Sequence, residues 1–192
     1  MSRREEKAAA TRRRFLDATF SALVELGYHG TSTVVVCERA GLAPGTMLHH
    51  FPNKQALVLA ALEDVLLRRA REFGEVLLKT DTNNLGELIR RFWEALKGPT
   101  FLAWLELAMA ARTDPVLGAE FREVMGRFDD VVRSVAESSL PRGFSGEEDL
   151  HVFISLAFST LNGLALDTLQ LTPAEIETKV ELLERWANKV MR

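Results

Sequence analysis

The chain has 192 residues, 47% of them apolar and 27% charged, which is chain enough for one large domain, or a small one joined to a larger, without disulfide or metal staples. Its single cysteine, Cys37, excludes an internal disulfide, and the basic start "MSRREEKAAATRRRF" runs into no apolar leader core, so a cytoplasmic protein with no membrane partner is expected. The net charge of −3 is uneven: residues 1–54 hold eight Lys/Arg against five Asp/Glu, leaving −6 on the remainder, and a basic head on an acidic body suits an anionic partner for the head.

Taken in chain order, nearly every segment reads as helix. In "TRRRFLDATFSALVELGY" the positions Phe15, Leu16, Phe20, Ala22, Leu23 and Leu26 recur at helical steps and define one inward face, which Gly27 ends. Ser32 is placed to cap a short second helix through Ala40, although its Val34-Val35-Val36 run would equally suit a strand. Gly41 breaks that segment, Pro44 suits the first turn of a third helix, and Pro52 closes it. Asn53 then caps a long helix reaching about residue 79. Three more follow over roughly 84–97, 99–112 and 115–139, and a loop at 140–149 leads to an eighth over about 147–170. That eighth segment holds the longest apolar stretch, 150–166, which is short and interrupted by His151 and Asn162; a buried helix is expected there in preference to a membrane span. Thr172 and Glu175 form a capping box for the last helix, with Pro173 in its first turn. The expected fold class is all-α with about nine helices.

The stretch "GLAPGTMLHHFPNK" (41–54) carries the candidate site. Helix, tight glycine turn, helix is the layout whose second helix enters the DNA major groove. On a helix over 44–51, Met47 and Phe51 point inward with Leu42, while Thr46, His49 and His50 fall on or beside the opposite face. Threonine and histidine side chains hydrogen-bond base edges or phosphates, and Lys54 adds a phosphate-seeking cation.

Residues 12–58 as a whole resemble the N-terminal DNA-binding domain of TetR-type transcriptional regulators. The shared pattern appears as Gly27-Tyr28, Thr31-Ser32, Ala40-Gly41, Gly45-Thr46, Phe51 and Asn53-Lys54, in register without a gap. The resemblance implies a DNA-binding domain over 1–54 and a helical ligand-binding and dimerisation domain over 55–192. It implies DNA contacts from Thr31, Ser32, Thr33, Pro44, Gly45, Thr46, Leu48, His49, His50 and Lys54, on a pseudo-palindromic operator. Leu48 stands where the family usually has a tyrosine, Ala43 where it has a Ser/Thr cap, and Val34-Val35 where polar residues are usual. A helical dimer that binds small molecules or proteins, its DNA contacts decayed, is therefore the alternative.

No metal site is expected, because adjacent His49 and His50 diverge by about 100° on a helix. No cofactor motif or catalytic constellation is present, so an enzyme is not expected. Trp93, Phe101, Trp104, Met109, Phe121, Met125 and Phe128, with Phe158, are the candidate walls of a cavity for a small apolar or aromatic effector. For a homodimer, Ile176, Val180, Leu183, Ala187 and Val190 form a heptad-like seam on the last helix, and Phe153, Ala157, Leu161 and Leu164 offer a face on the one before.

Overall fold

A computed structural model describes residues 2–139 and 147–190, with the side chains of residues 139, 147, 148 and 190 outside that description. Most of the expected loop at 140–149, and the side chain of Val190, thus lie outside the described residues. Among them there are nine helices and no strand: α1 (Arg3–Gly30), α2 (Thr33–Ala40), α3 (Pro44–His50), α4 (Lys54–Lys79), α5 (Leu85–Leu96), α6 (Pro99–Ala111), α7 (Pro115–Ser139), α8 (Glu147–Asp167) and α9 (Pro173–Val190).

Local chemistry sets the boundaries. α1 begins well before its amphipathic stretch because Ser2 and Glu5 cap it reciprocally. Ser2 Oγ accepts from the Glu5 N–H at 3.3 Å, and Glu5 Oε2 accepts from the Ser2 N–H at 2.7 Å. The run Ala8-Ala9-Ala10 that follows is the strongest helix-forming sequence available. Near its other end α1 breaks at Gly27, whose φ of 70° and ψ of 178° suit glycine alone. The valine run of α2 is helical. Ser32 Oγ accepts from the Val35 N–H at 3.2 Å, and Gly41, at φ 61°, ends the helix. Burial of Val36 and Cys37 outweighs the β-preference of the branched side chains.

The chain divides into two compact units, Met1–Arg68 with Pro99–Arg127, and Arg69–Gly98 with Phe128–Arg192. In the first, α1 packs on α2 and α6. Phe15, Leu16, Val36, Met47, Phe51 and Leu57 share one apolar cluster. A charged network ties α1 to the first half of α4. Arg13 grips buried Asp64 with both terminal nitrogens, at 2.6 and 3.0 Å, and Arg68 Nε reaches the same carboxylate at 2.9 Å. Asp17 bridges the two arginines. With a fork of donors on one carboxylate, the charge is buried fully paired, and this bond to Asp64 is the main cause holding the Arg13 pKa above its ordinary value.

In the second unit α9 lies along α5, and α8 packs on both. The approach is close at Gly86: its N–H donates to Asn188 Oδ1 at 2.8 Å, and a Cβ there would meet the Glu184 carbonyl at 3.0 Å. Arg90 bridges to Glu177 and Glu184 beside it. Ile176, Val180 and Ala187 are buried within the chain, as are Leu161 and Leu164 of α8, while Leu183, Phe153 and Ala157 are half-buried. The seam foreseen for a second subunit is therefore largely covered inside one. Periodicity marks a stripe as apolar but not which neighbour covers it. α8 is also not the buried helix expected. Its Asp149–Asp167 stretch is long and apolar enough to cross a bilayer by length and composition, but only 17% of it is buried. Val152, Leu156 and Leu166 remain exposed, at helical spacing with exposed Ser159 and Gly163 between them.

Candidate nucleic-acid interface

Helices α2 and α3 meet at about the Gly41 turn. Met47 and Phe51 are buried and Leu42 packs against their cluster, which rotates Pro44, Gly45, Leu48 and His49 to solvent. Thr46 and His50 lie half-buried at the edges of that face, as do Ser32 and Thr33 at the head of α2, and Lys54 is exposed at the head of α4. Nine of the ten residues singled out are thus exposed or half-buried. Thr31 is not: it is 2% exposed, and its hydroxyl donates to the Gly27 carbonyl at 2.8 Å. A Thr-Ser-Thr run advertises three hydroxyls, yet the middle one caps α2 and the first closes the end of α1.

The head of α3 has no side-chain cap: Ala43 occupies that position, and Pro44 stands in the first turn. His50 lies against Phe15 and Phe51, with ring centroids at 6.3 and 6.4 Å. Burial, then neighbouring His49 and Arg12, push its pKa below the ordinary histidine value. Arg12 lies over the Phe51 ring at 5.3 Å, and Lys54 Nζ over the Tyr28 ring at 5.0 Å. Other cations of the segment are committed internally: Arg13 to Asp64 and Asp17, Arg39 to Glu25 at 2.9 Å, and Arg14 to the Ala40 carbonyl at 2.5 Å. Exposed positive charge at Arg3, Arg4, Lys7, Arg12 and Lys54 remains. That surface suits a polyanion, with His49 and Thr46 able to read hydrogen-bonding edges.

Of the eight residues expected to wall a cavity, five belong to the first unit and three to the second. Phe101, Trp104 and Phe121 form a chain of rings with centroids 5.6 and 6.4 Å apart; Met125 is half-buried and Met109 exposed. In the second unit Trp93 and Phe128 are core residues. Phe158 alone of the eight lines a small cleft of about 40 Å³, with Phe73, Leu77, Leu85, Leu88, Ile89, Phe92, Phe153, Ile154, Ala157 and Leu161. Phe73 and Phe92 stack at 5.0 Å and Phe158 leans on both, at 5.6 and 5.7 Å. No polar side chain lines it. Phe73 carries no sequence signal apart from its apolar spacing on a long helix. Among the described residues, no group of three His, Cys, Asp or Glu is placed to hold a metal ion.

Comparison with known proteins agrees with this layout. The model of the bacterial regulatory proteins of the tetR family matches residues 15–61. An HTH-type transcriptional regulator of Mycobacterium tuberculosis strain H37Rv is 29% identical over 178 residues, 91% of this chain and 89% of its own. The HTH-type transcriptional repressor AcnR of Corynebacterium glutamicum is 28% identical over 142 residues, 72% of this chain and 70% of its own. Among solved structures, a transcriptional regulator from Rhodococcus sp. Rha1 matches with a TM-score of 0.70 at 22% identity, over 93% of this chain and 96% of its own. The multidrug binding protein EbrR, complexed with imidazole, matches with a TM-score of 0.63 at 24% identity, over 91% and 93%.

Proposed function

The chain belongs to the TetR family of DNA-binding transcriptional regulators, and from that membership we propose a cytoplasmic homodimeric repressor that a small apolar or aromatic ligand releases from its operator. The observation that carries this reading is the outward face of α3, where Pro44, Gly45, Leu48 and His49 stand exposed, together with the exposed cations Arg12 and Lys54 of the same compact unit. Residues 1–54 supply the operator contacts: Thr46 and His49 to base edges, and Lys54, His50, Ser32, Thr33 and the Gly45 backbone toward phosphates. Residues 55–192 supply the effector site and the dimer contact.

The cleft at Phe73, Phe92 and Phe158 supports an apolar effector. Its walls offer no hydrogen-bonding side chain, so a sugar or nucleotide would lose its water without replacement, while a small apolar compound would leave no polar group unpaired. The outer stripe of α8, with exposed Leu182 and Trp186 of α9, supports the dimer: it is an apolar surface that one chain leaves wet. A dimer of this kind reads a pseudo-palindrome with half-sites about one helical turn, or a multiple, apart.

Two exposed valine and leucine side chains, Val34 at 60% and Leu48 at 54%, favour the second reading of a dimeric binding module without operator contacts. Selection of bound sequences from random duplex DNA distinguishes the two. Enrichment of a two-fold symmetric site, with affinity that falls steeply as salt rises, supports the repressor. No enrichment and no salt-dependent duplex binding leaves the binding module.

A further inference from the structure

We infer that Glu106 of α6 is a positioning residue for the DNA-facing cation Lys54, acting through Tyr28. The inference rests on the DNA-binding reading above. The break in α1 at Gly27 leaves the Tyr28 N–H without a helical carbonyl, and Glu106 Oε2 accepts from it at 2.7 Å. The carboxylate fills the space a side chain at residue 27 would take, since a Cβ there would lie 2.9 Å from Oε2 and 3.3 Å from Cδ. The Gly27 carbonyl is also held, by the Thr31 hydroxyl at 2.8 Å. Both sides of the kink are thus pinned, and the Tyr28 ring is presented to Lys54 Nζ at 5.0 Å.

Lysine carries a flexible stem with three rotors beyond its Cβ, so an ammonium resting on a fixed ring meets a phosphate from one direction. Glu106 fixes the ring by fixing the backbone beneath it. The backbone donor holds the carboxylate in place at the kink. Because α6 also carries Phe101 and Trp104 of the ring chain, any displacement of α6 pulls on the kink and reaches Lys54 without passing through the recognition helix.

The chain has one tyrosine, so incorporated 3-fluorotyrosine gives a single ¹⁹F resonance that reports Tyr28 alone. Glu106→Asp keeps the charge but withdraws the acceptor by one methylene, and Glu106→Gln keeps the acceptor without the charge. The aspartate variant is expected to shift the resonance, and Lys54→Ala, at an exposed position, is expected to shift it as well. On duplex DNA, Lys54→Ala and Glu106→Asp should each lower the salt slope of log affinity by about one unit, the value of one phosphate contact. Combining them should lower it no further. Glu106→Gln should match the wild type in both measurements. An unmoved resonance in Lys54→Ala, or a full salt slope in Glu106→Asp with the wild type binding normally, overturns this inference alone. Absence of duplex binding by the wild type overturns the DNA-binding reading and this inference with it.

Discussion

Leu156→Glu should separate the proposed dimer while leaving the subunit folded. Leu156 is 61% exposed in the single chain and lies mid-stripe on α8, between Val152 and Ser159. A partner can then remove roughly 100 Å² of it from water, which at about 25 cal/mol per Å² is about 2.5 kcal/mol. A two-fold interface counts the residue twice, so the loss is about 5 kcal/mol before any penalty for the new carboxylate. At about 1.4 kcal/mol per decade, the dimer dissociation constant rises by more than three orders of magnitude. Sedimentation velocity across a dilution series measures it, with circular dichroism as the check on folding. Val180→Glu is the contrast: Val180 is fully buried against its own chain, so that variant should unfold instead of dissociating. A Leu156→Glu protein that remains as tightly dimeric as the wild type would refute the assignment of this stripe.

Asp64→Ala should destabilise the protein by about 2–4 kcal/mol in urea titration, because it strips a buried carboxylate from the arginine pair that binds it; a loss below about 1 kcal/mol would mean the network is ornamental. His50 has a folded pKa below its unfolded value, so the folded state binds fewer protons and stability is present above about pH 6.5 and lost as pH falls through the lower folded value. Urea midpoints at about pH 7.5 and about pH 5.5 should therefore differ more in the wild type than in His50→Asn, while duplex affinity moves oppositely, since phosphate favours the protonated ring. Phe92→Ala should weaken binding of naphthalene-type probes, and operator DNA should weaken it in the wild type by the same factor by which the probe weakens operator binding; equal probe affinity with and without operator would show that the cleft does not release DNA.

Helix count and order were readable because glycine and proline punctuate the chain. Gly41, Pro44, Pro99, Pro115 and Pro173 each stand at an observed boundary. The rotation of α3 was readable too, because Met47 and Phe51, four apart, are both buried. What escaped depends on distant partners. α8 is apolar around most of its circumference, so periodicity could not say that Leu161 and Leu164 turn inward while Leu156 and Leu166 turn out. Phe73, Phe92 and Phe158 are 19 and 66 residues apart in order and meet only by packing. Glu106 looks like any surface carboxylate until the kink at Gly27 leaves a donor beside it.

The capped start of α1 sets how the basic N-terminal segment can move. Eight residues in helix, 3 to 10, span about 12 Å, whereas the same eight drawn out would span about 27 Å. The segment is a strut instead of a tether. Arg3 and Lys7 lie one turn apart on a shared side and Arg4 faces another way, so the charges are presented from a rigid helix and not along an extended chain. Its ordering precedes any encounter, which keeps aim at the expense of range. A proline at Ala9 would reverse that exchange, turning a short pointed device into a long slack one.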